Sequence, residues 1–261
     1  MKYGFIGCGN MGGAIAKALS GVTKEIVIAD PNPAAKTFAA EIGCEYATNE
    51  FVASNCDHIV LAVKPQMMAA VLAPIADILK ERKPILITIA AGIEIRQIEE
   101  MVGTSLPIIR LMPNTPVAVG KGMIVYCANS LVEAAILQDF LSDMEFAGTL
   151  DAIDEKLIDA ASALSGSGPA YLYLFLEAMA DGAVACGLPR QKAMSYAAAT
   201  MEGAAQMFLQ LGKHPGELKD AVCSPAGSTI VGIQALEQHG FRGAVMDCII
   251  AAYQRNKTLG K

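Results

Sequence analysis

Lys2-Tyr3-Gly4-Phe5-Ile6-Gly7-Cys8-Gly9-Asn10-Met11-Gly12 decides the fold. An apolar run stops at a glycine turn, and helical spacing of Met, Ala, Ile and Leu begins at once. Gly7 permits the tight turn, Gly9 lets backbone approach a pyrophosphate, and Gly12 lets the helix pack closely on the strand. The helix start then presents free N–H groups and a positive dipole end to phosphates. Alone, such a motif is a weak sign, and a plain glycine turn is the bland alternative. Here it follows the first strand directly, and Asp30 ends the next β-rich run at roughly the twenty-residue distance of a dinucleotide site. A carboxylate at that place accepts the ribose hydroxyls of NAD and repels a 2′-phosphate. Its bland reading is a turn residue before Pro31. No Arg stands nearby in sequence, although Lys36 does, so Asp30 tilts the cofactor mildly to NADH.

Working outward, Lys2 to Ile6, Glu25 to Ala29, His58 to Val63 and Ile85 to Ile89 are nearly continuous apolar runs, as strands buried on both faces of a parallel sheet are. Met11 to Ser20, Pro33 to Ile42, Gln66 to Lys80 and Ile95 to Val102 alternate with them at helical spacing. Weaker strand signals at Pro107 to Leu111 and Gly122 to Tyr126 precede a helix around Val132 to Ser142. This alternation predicts a doubly wound α/β sheet over residues 1–150. Beyond about Thr149 the strand signals stop. Residues 151–261 read as helices only: Glu155 to Leu164, Ala170 to Cys186, Arg190 to Leu211, Pro215 to Val222, Ser228 to His239 and Phe241 to Thr258.

Composition narrows the function classes. Hydrophobic residues make up 53% of the 261 and charged residues 18%, with a formal charge of −6. Average globular usage is about 45–50% and about 25%, so disorder is excluded and surplus apolar surface must be covered. A membrane is not the expected cover, because the best stretch, Leu172 to Cys186, is interrupted by Glu177 and Asp181. Net acidity without any Lys/Arg run argues against nucleic acid. Seven cysteines, widely and unevenly spaced, suggest neither a disulfide framework nor a zinc site, and a reducing cytoplasm fits best. No metal site is expected. Ala160 to Leu176 and Ala221 to Leu236 carry no charge at all, and a helix apolar on every side needs burial on every side. A subunit interface is the expected answer.

Further segments resist a purely structural reading. Ala62-Val63-Lys64-Pro65 ends a strand where open α/β sheets place ligands. Arg110-Leu111-Met112-Pro113-Asn114-Thr115-Pro116 ends another with two prolines and a polar pair. Ser165-Gly166-Ser167-Gly168-Pro169-Ala170-Tyr171 and Ser224-Pro225-Ala226-Gly227-Ser228-Thr229 each open an apolar helix, where free N–H groups suit an anion. Ordinary capping by Ser and Thr is the plainer alternative for both.

Together these segments resemble the pyrroline-5-carboxylate reductase family over essentially the whole chain. GCGNMGGA, AVKPQ, IAAGI, RLMPNTP, SGSGPAY and PGELKDAVCSPAGSTIVGIQALEQ (Pro215 to Gln238) follow the family's order and spacing, the last being the most specific. The resemblance implies a Rossmann-type cofactor domain, then a helical substrate-binding domain that interlocks with a partner chain as a homodimer, often assembled into larger rings. It implies reduction of 1-pyrroline-5-carboxylate to L-proline by NADPH or NADH, the final step of proline biosynthesis. Carried over by position, Ile6, Gly7, Cys8, Gly9, Asn10 and Met11 would surround the pyrophosphate. Asp30 would meet the ribose and Asn49 the adenosine side, with Ala62, Val63, Lys64 and Pro65 along the strand end. Thr88, Ile89 and Ala90 would line the nicotinamide. Gly227, Ser228 and Thr229 would bind the pyrroline carboxylate, with Thr229 nearest the chemistry as hydrogen-bond partner of the imine nitrogen. Two departures stand out: Ala226, where many relatives carry glycine, and Asp30, where relatives preferring NADPH carry small polar or basic residues.

Such a reaction asks little of side chains, since hydride chemistry belongs to the cofactor and the protein supplies orientation. The sequence agrees, because His58, His214 and His239 all lie outside the motifs. The nearest enzymatic rival, the β-hydroxyacid dehydrogenases, places a catalytic Lys and then Asn on the helix after the glycine-rich segment, and Ala170 to Leu176 offers neither. A non-catalytic dinucleotide sensor would have no use for the polar loop at Ser224 to Thr229. Cys8 and Cys223 lie in motifs but read as inert packing.

Overall fold

The computed structural model of the chain describes residues 1–259. One compact unit holds Met1–Pro169 and the chain from Ala252 onward, and another holds Ala170–Ala251. In the first, β1 (Tyr3–Ile6), β2 (Ile26–Ala29), β3 (Glu45–Tyr46), β4 (His58–Leu61), β5 (Ile85–Thr88), β6 (Ile108–Met112), β7 (Gly122–Ala128) and β8 (Gly148–Ala152) form one sheet, ordered β3-β2-β1-β4-β5-β6-β7-β8. The winding reverses between β1 and β4, so the sheet is doubly wound. Every residue of β1, β2, β4, β5 and β6 is buried, which is why these strands are apolar without alternation. Ile6, Leu61, Leu86 and Ile98 build the core on one face, and Phe5, Ile28, Val60, Ile87 and Phe140 build it on the other.

The helices follow their local chemistry. α1 (Asn10–Leu19) springs from the glycine turn, and α2 (Pro33–Ile42) is capped by Asn32, whose side chain accepts from the Ala34 amide at 3.0 Å. The segment expected as one helix from Gln66 to Lys80 is broken into α4 (Met68–Leu72) and α5 (Ala76–Arg82), with a tight turn between them at Pro74, whose ring supplies no N–H. Before these comes a short α3 (Asn49–Asn55), and after them α6 (Ile95–Val102) and α7 (Ala134–Met144). The sheet is not wholly parallel: β7 runs antiparallel to β6, with Met112 opposite Val125. A short 3-10 turn, Thr115–Val119, returns the chain directly, and a return of that kind needs no crossover helix. β8 then pairs parallel to β7.

Arg110 on β6 is 2% exposed and pairs through Nη1 with Glu155 at 3.1 Å and through Nη2 with Asp159 at 3.3 Å. Glu155 also accepts from the Ile95 amide at 2.8 Å, so one carboxylate serves a buried cation and the first turn of α6. Asp159, on α8 (Ile158–Ala161), receives Asn256 Nδ2 at its carbonyl at 3.0 Å. These bonds draw the returning end of the chain into the first unit, which continues to Pro169, past the point where strand signals fade in the sequence.

The rest is helical: α9 (Gly168–Ala185), α10 (Arg190–Leu211), α11 (Pro215–Val222), α12 (Ser228–Gln238) and α13 (Phe241–Leu259). Within one chain these helices cover little. Of α9 and α10 only Ala180, Ala193 and Ala197 are buried, while Leu174 is 69% exposed, Leu209 70% and Val222 67%. Among the described residues no helix is long and apolar enough to cross a membrane.

His58 opens β4 at 3% exposure, its ring 5.1 Å from Tyr3 and stacked at 6.3 Å on Phe140, with neither ring nitrogen hydrogen-bonded. Burial holds this imidazole below its ordinary 6.5, and the pull of Asp57, Asp143 and Asp139 the other way is the smaller effect. The unfolded chain therefore binds the proton more readily, and stability present above pH 6.5 is lost as pH falls below it. Thermal melts from pH 7.5 down to about 5 should show a falling Tm, and His58→Phe should flatten that slope; an unchanged slope in the variant would refute this role.

Candidate functional site

The glycine-rich turn lies where the strand order reverses, the usual ligand crevice of such sheets. The Gly7 amide donates to the Ala29 carbonyl at 2.8 Å and the Ala62 amide to the Ile6 carbonyl at 2.8 Å, so the turn is stitched to both neighbouring strands. Gly7 has φ +96°, and a Cβ there would come within 2.6 Å of the Ala62 carbonyl oxygen. A Cβ on Gly12 would sit 2.7 Å from Ala62 Cβ and 2.8 Å from the Gly7 oxygen. Gly9 is different: a Cβ there would meet nothing within 4 Å. Its lack of a side chain serves no neighbour inside the chain. Open space over exposed Gly9 and Asn10, at the first turn of α1, fits a pyrophosphate. A groove of about 390 Å³ continues from there past Lys17, Asn32 and Phe38.

Asp30 does more than end β2. Its Oδ2 accepts from the Cys8 amide at 2.6 Å and its Oδ1 from the Asn32 amide at 2.8 Å, so the carboxylate ties the glycine turn to the start of α2. The Tyr46 hydroxyl donates to the Asp30 carbonyl at 2.7 Å and braces the same corner from β3. Burial, and next the Asp30 charge, push the Cys8 thiol up to about 11, which leaves it protonated and unreactive at neutral pH.

The remaining positions divide by what they can offer. Met11, Ala62, Val63 and Pro65 are half-buried around the strand ends, Lys64 is exposed, and Asn49 opens α3 half-buried. Ile6 and Thr88 are buried in the core, so any contact they make with a cofactor is through main chain. The Thr88 hydroxyl instead accepts from the Ala90 amide at 3.3 Å and shapes the turn through Ile89.

In the helical unit, α12 is capped by Gly227, which has no side chain, and Ser228 and Thr229 occupy the first two helical positions. Their hydroxyls are therefore not the caps that the plainer reading would make them. Both are exposed at a turn whose amides have no partner within the helix. A Cβ at Gly227 would lie 2.3 Å from Ser224 Oγ, so glycine is required there. Ala226 has φ +57°, left-handed backbone that costs a residue with a Cβ about 1–2 kcal/mol. Ser165 to Ser167, in contrast, is no free helix start. The Ser167 amide donates to the Ser162 carbonyl at 3.0 Å, and the chain passes from α8 through a π turn, Ser162–Gly166, into α9.

Residues 155–259 match the family described as pyrroline-5-carboxylate reductase dimerisation, and residues 2–92 match the one described as NADP oxidoreductase, coenzyme F420-dependent. The chain is 43% identical over 264 residues to the pyrroline-5-carboxylate reductase of Pisum sativum, covering 98% of this chain and 95% of that protein. The chain belongs to the pyrroline-5-carboxylate reductase family. The Escherichia coli (strain K12) pyrroline-5-carboxylate reductase is 40% identical, covering 100% of this chain and 98% of its own. The solved structure of Plasmodium falciparum pyrroline carboxylate reductase with NADP bound has a TM-score of 0.91 at 34% identity, covering 100% of this chain and 98% of that one. Membership in this family removes the β-hydroxyacid dehydrogenase reading.

Nothing local in the sequence marks the second duty of Asp30, the brace from Tyr46, or the two carboxylates that hold Arg110. Asn32-Pro33 was the available signal for the corner, since Asn before Pro marks a cap and fixes where α2 starts.

Gly9 and Gly12 should separate binding from fold. Gly9→Ala should melt within about 2 °C of wild type and still lose most affinity for a dinucleotide, because its Cβ enters only the open cradle. Gly12→Ala should lose about 1–3 kcal/mol of stability through overpacking against Ala62. Titration calorimetry beside thermal melts reads both, and tight binding by Gly9→Ala would refute the cradle.

Proposed function

We propose that the protein reduces 1-pyrroline-5-carboxylate to L-proline with a nicotinamide cofactor, the last step of proline biosynthesis. The observation that carries this reading is full-length likeness to pyrroline-5-carboxylate reductases in a chain whose glycine turn leaves an open cradle at Gly9. Reduced nicotinamide, when bound, supplies the hydride. The chain's own residues bind and orient. Main-chain amides from Gly9 to Met11 hold the pyrophosphate, on a turn whose Gly7 and Cys8 amides are tied to Ala29 and Asp30; Asp30 meets the ribose, Asn49 the adenosine side, and Ala62 to Pro65 the strand-end stretch. The turn from Thr88 to Ala90 shapes the nicotinamide end.

On the helical unit, the amides of Ser228 and Thr229 take the substrate carboxylate, where the N-terminal dipole of α12 favours an anion, and Gly227, whose amide donates to the Ser224 carbonyl at 3.0 Å, holds the loop in place. The Thr229 hydroxyl is the hydrogen-bond partner of the imine nitrogen. A cyclic imine brings its own proton near neutral pH, so hydride addition to its carbon yields the secondary amine without a side-chain acid. That economy agrees with the absence of a histidine from every segment of the site.

Asp30 inclines the reading to NADH, because its oxygens already gather amide donors and a 2′-phosphate would meet the same negative charge. The exposed apolar faces of α9 to α12 support a homodimer interlocked through the helical half, with a ring of dimers as the extension of that reading. A reducing cytoplasm accords with seven unpaired cysteines.

Oxidation of NADH or NADPH followed spectrophotometrically should proceed with 1-pyrroline-5-carboxylate and not with a panel of 2-keto and 3-keto acids; no turnover of the imine with either cofactor overturns the proposal. Thr229→Ala should lower kcat/KM by the equivalent of about 1–3 kcal/mol, and a change under twofold would remove Thr229 from the chemistry. Comparing kcat/KM for the two cofactors should show NADH favoured, with Asp30→Ser shifting the ratio toward NADPH. A strong NADPH preference in the wild type would refute the reading of Asp30.

A further inference from the structure

Asn114 stands just beyond β6 at 8% exposure, with both ends of its amide engaged. Its Oδ1 accepts from the Met123 amide at 2.9 Å, and its Nδ2 donates to the Ser165 carbonyl at 3.0 Å. The Ser165 carbonyl lacks its α-helical donor for a reason written in the sequence. In an α-helix it would take the amide four residues on, and that residue is Pro169, which has no N–H. The helix widens here into the π turn Ser162–Gly166, and a side chain from the sheet completes the hydrogen bonding. Single π turns inside helices are rare and gather at functional sites.

The placement points to one such site. β6 lies beside β5, whose end leads into the turn Thr88 to Ala90. Ala91 packs in one cluster with Met112, Ile158 and Ala161. The turn after β5 and the π turn after Ala161 therefore flank the same strand ends. Ser165, Gly166 and Ser167 are half-buried rather than sealed in the core, and the Ser165 hydroxyl donates to the Ala161 carbonyl at 2.9 Å, which ties the π turn back to α8.

We propose that Asn114 is a positioning residue for hydride transfer: by holding the Ser165 carbonyl it fixes the π turn as a wall of the nicotinamide end of the cleft. This rests on the imine reduction proposed above. Asn114 touches neither reactant and acts through Ser165.

Wild-type turnover of 1-pyrroline-5-carboxylate is measured first and decides the reduction reading by itself; without it this proposal falls too. Asn114→Asp keeps the acceptor for Met123 and loses the donor to Ser165. It should bind NADH with a Kd within twofold of wild type, while kcat falls at least tenfold. With NADH deuterated at the transferred position, the isotope effect on kcat should rise as hydride transfer becomes limiting. Pro169→Ala gives Ser165 a donor within the helix and lets the π turn relax toward α. It should melt no lower than wild type, yet lose at least threefold in kcat with the same rise in isotope effect. Should Asn114→Asp fail to fold, Pro169→Ala decides alone. An active wild type whose variants keep kcat within twofold, or lose it with an unchanged isotope effect, overturns the role of Asn114.

Discussion

Backbone touches backbone where β1 and β4 part, and most of the first unit depends on that approach. Gly7 passes so near the Ala62 carbonyl that no side chain fits between them, and Gly12 brings α1 down onto the same residue. The closeness lets one short turn belong to both halves of the sheet at once. It also sets the direction of α1, whose first amides then face out of the strand ends. Binding geometry here is a by-product of a steric requirement that the fold must meet in any case. Asp30 reinforces it, because its carboxylate fixes the Cys8 amide and the Asn32 amide in one stroke.

How much of this could be read in the sequence depended on burial. Strands sealed on both faces declare themselves as apolar runs, and β1, β2, β4, β5 and β6 were all legible. β3 is two exposed residues, Glu45 and Tyr46, and β8 is largely exposed, so neither carries a hydrophobic pattern to be found. The direction of β7 was hidden because strand propensity is indifferent to polarity and only the length of the return decides it. Pro74 did announce a break between α4 and α5, though helical spacing on either side masked it. In the site, positions defined by main-chain shape were legible through glycine. Positions defined by a long-range partner, such as Tyr46 on the Asp30 carbonyl, were not, since nothing local marks them.

The two units show opposite economies. In the first, two polar side chains at depth have their partners, while His58 stands as the exception: Arg110 has two carboxylates, and Asn114 uses both ends of its amide. Burying a cation is costly unless its partners go with it, and here they come from Glu155 and Asp159, on the segment that leaves the sheet. The second unit has almost no polar groups at depth because it has almost no depth. Its apolar side chains lie on the surface of a single chain, and soluble monomers rarely expose large apolar patches without use for them.

One consequence concerns the order in which the molecule is made. Asn256 donates to the Asp159 carbonyl, so the first unit includes turns of helix synthesised after the whole of the second. A ribosome emits these residues after the helical unit, at about 5–20 per second. The cofactor-binding half must therefore wait, with that carbonyl and the seat of α13 uncovered, for several seconds after its sheet is complete. During that interval the helical half emerges with its own apolar faces bare. Closure of the first unit thus comes only after the helical half has emerged.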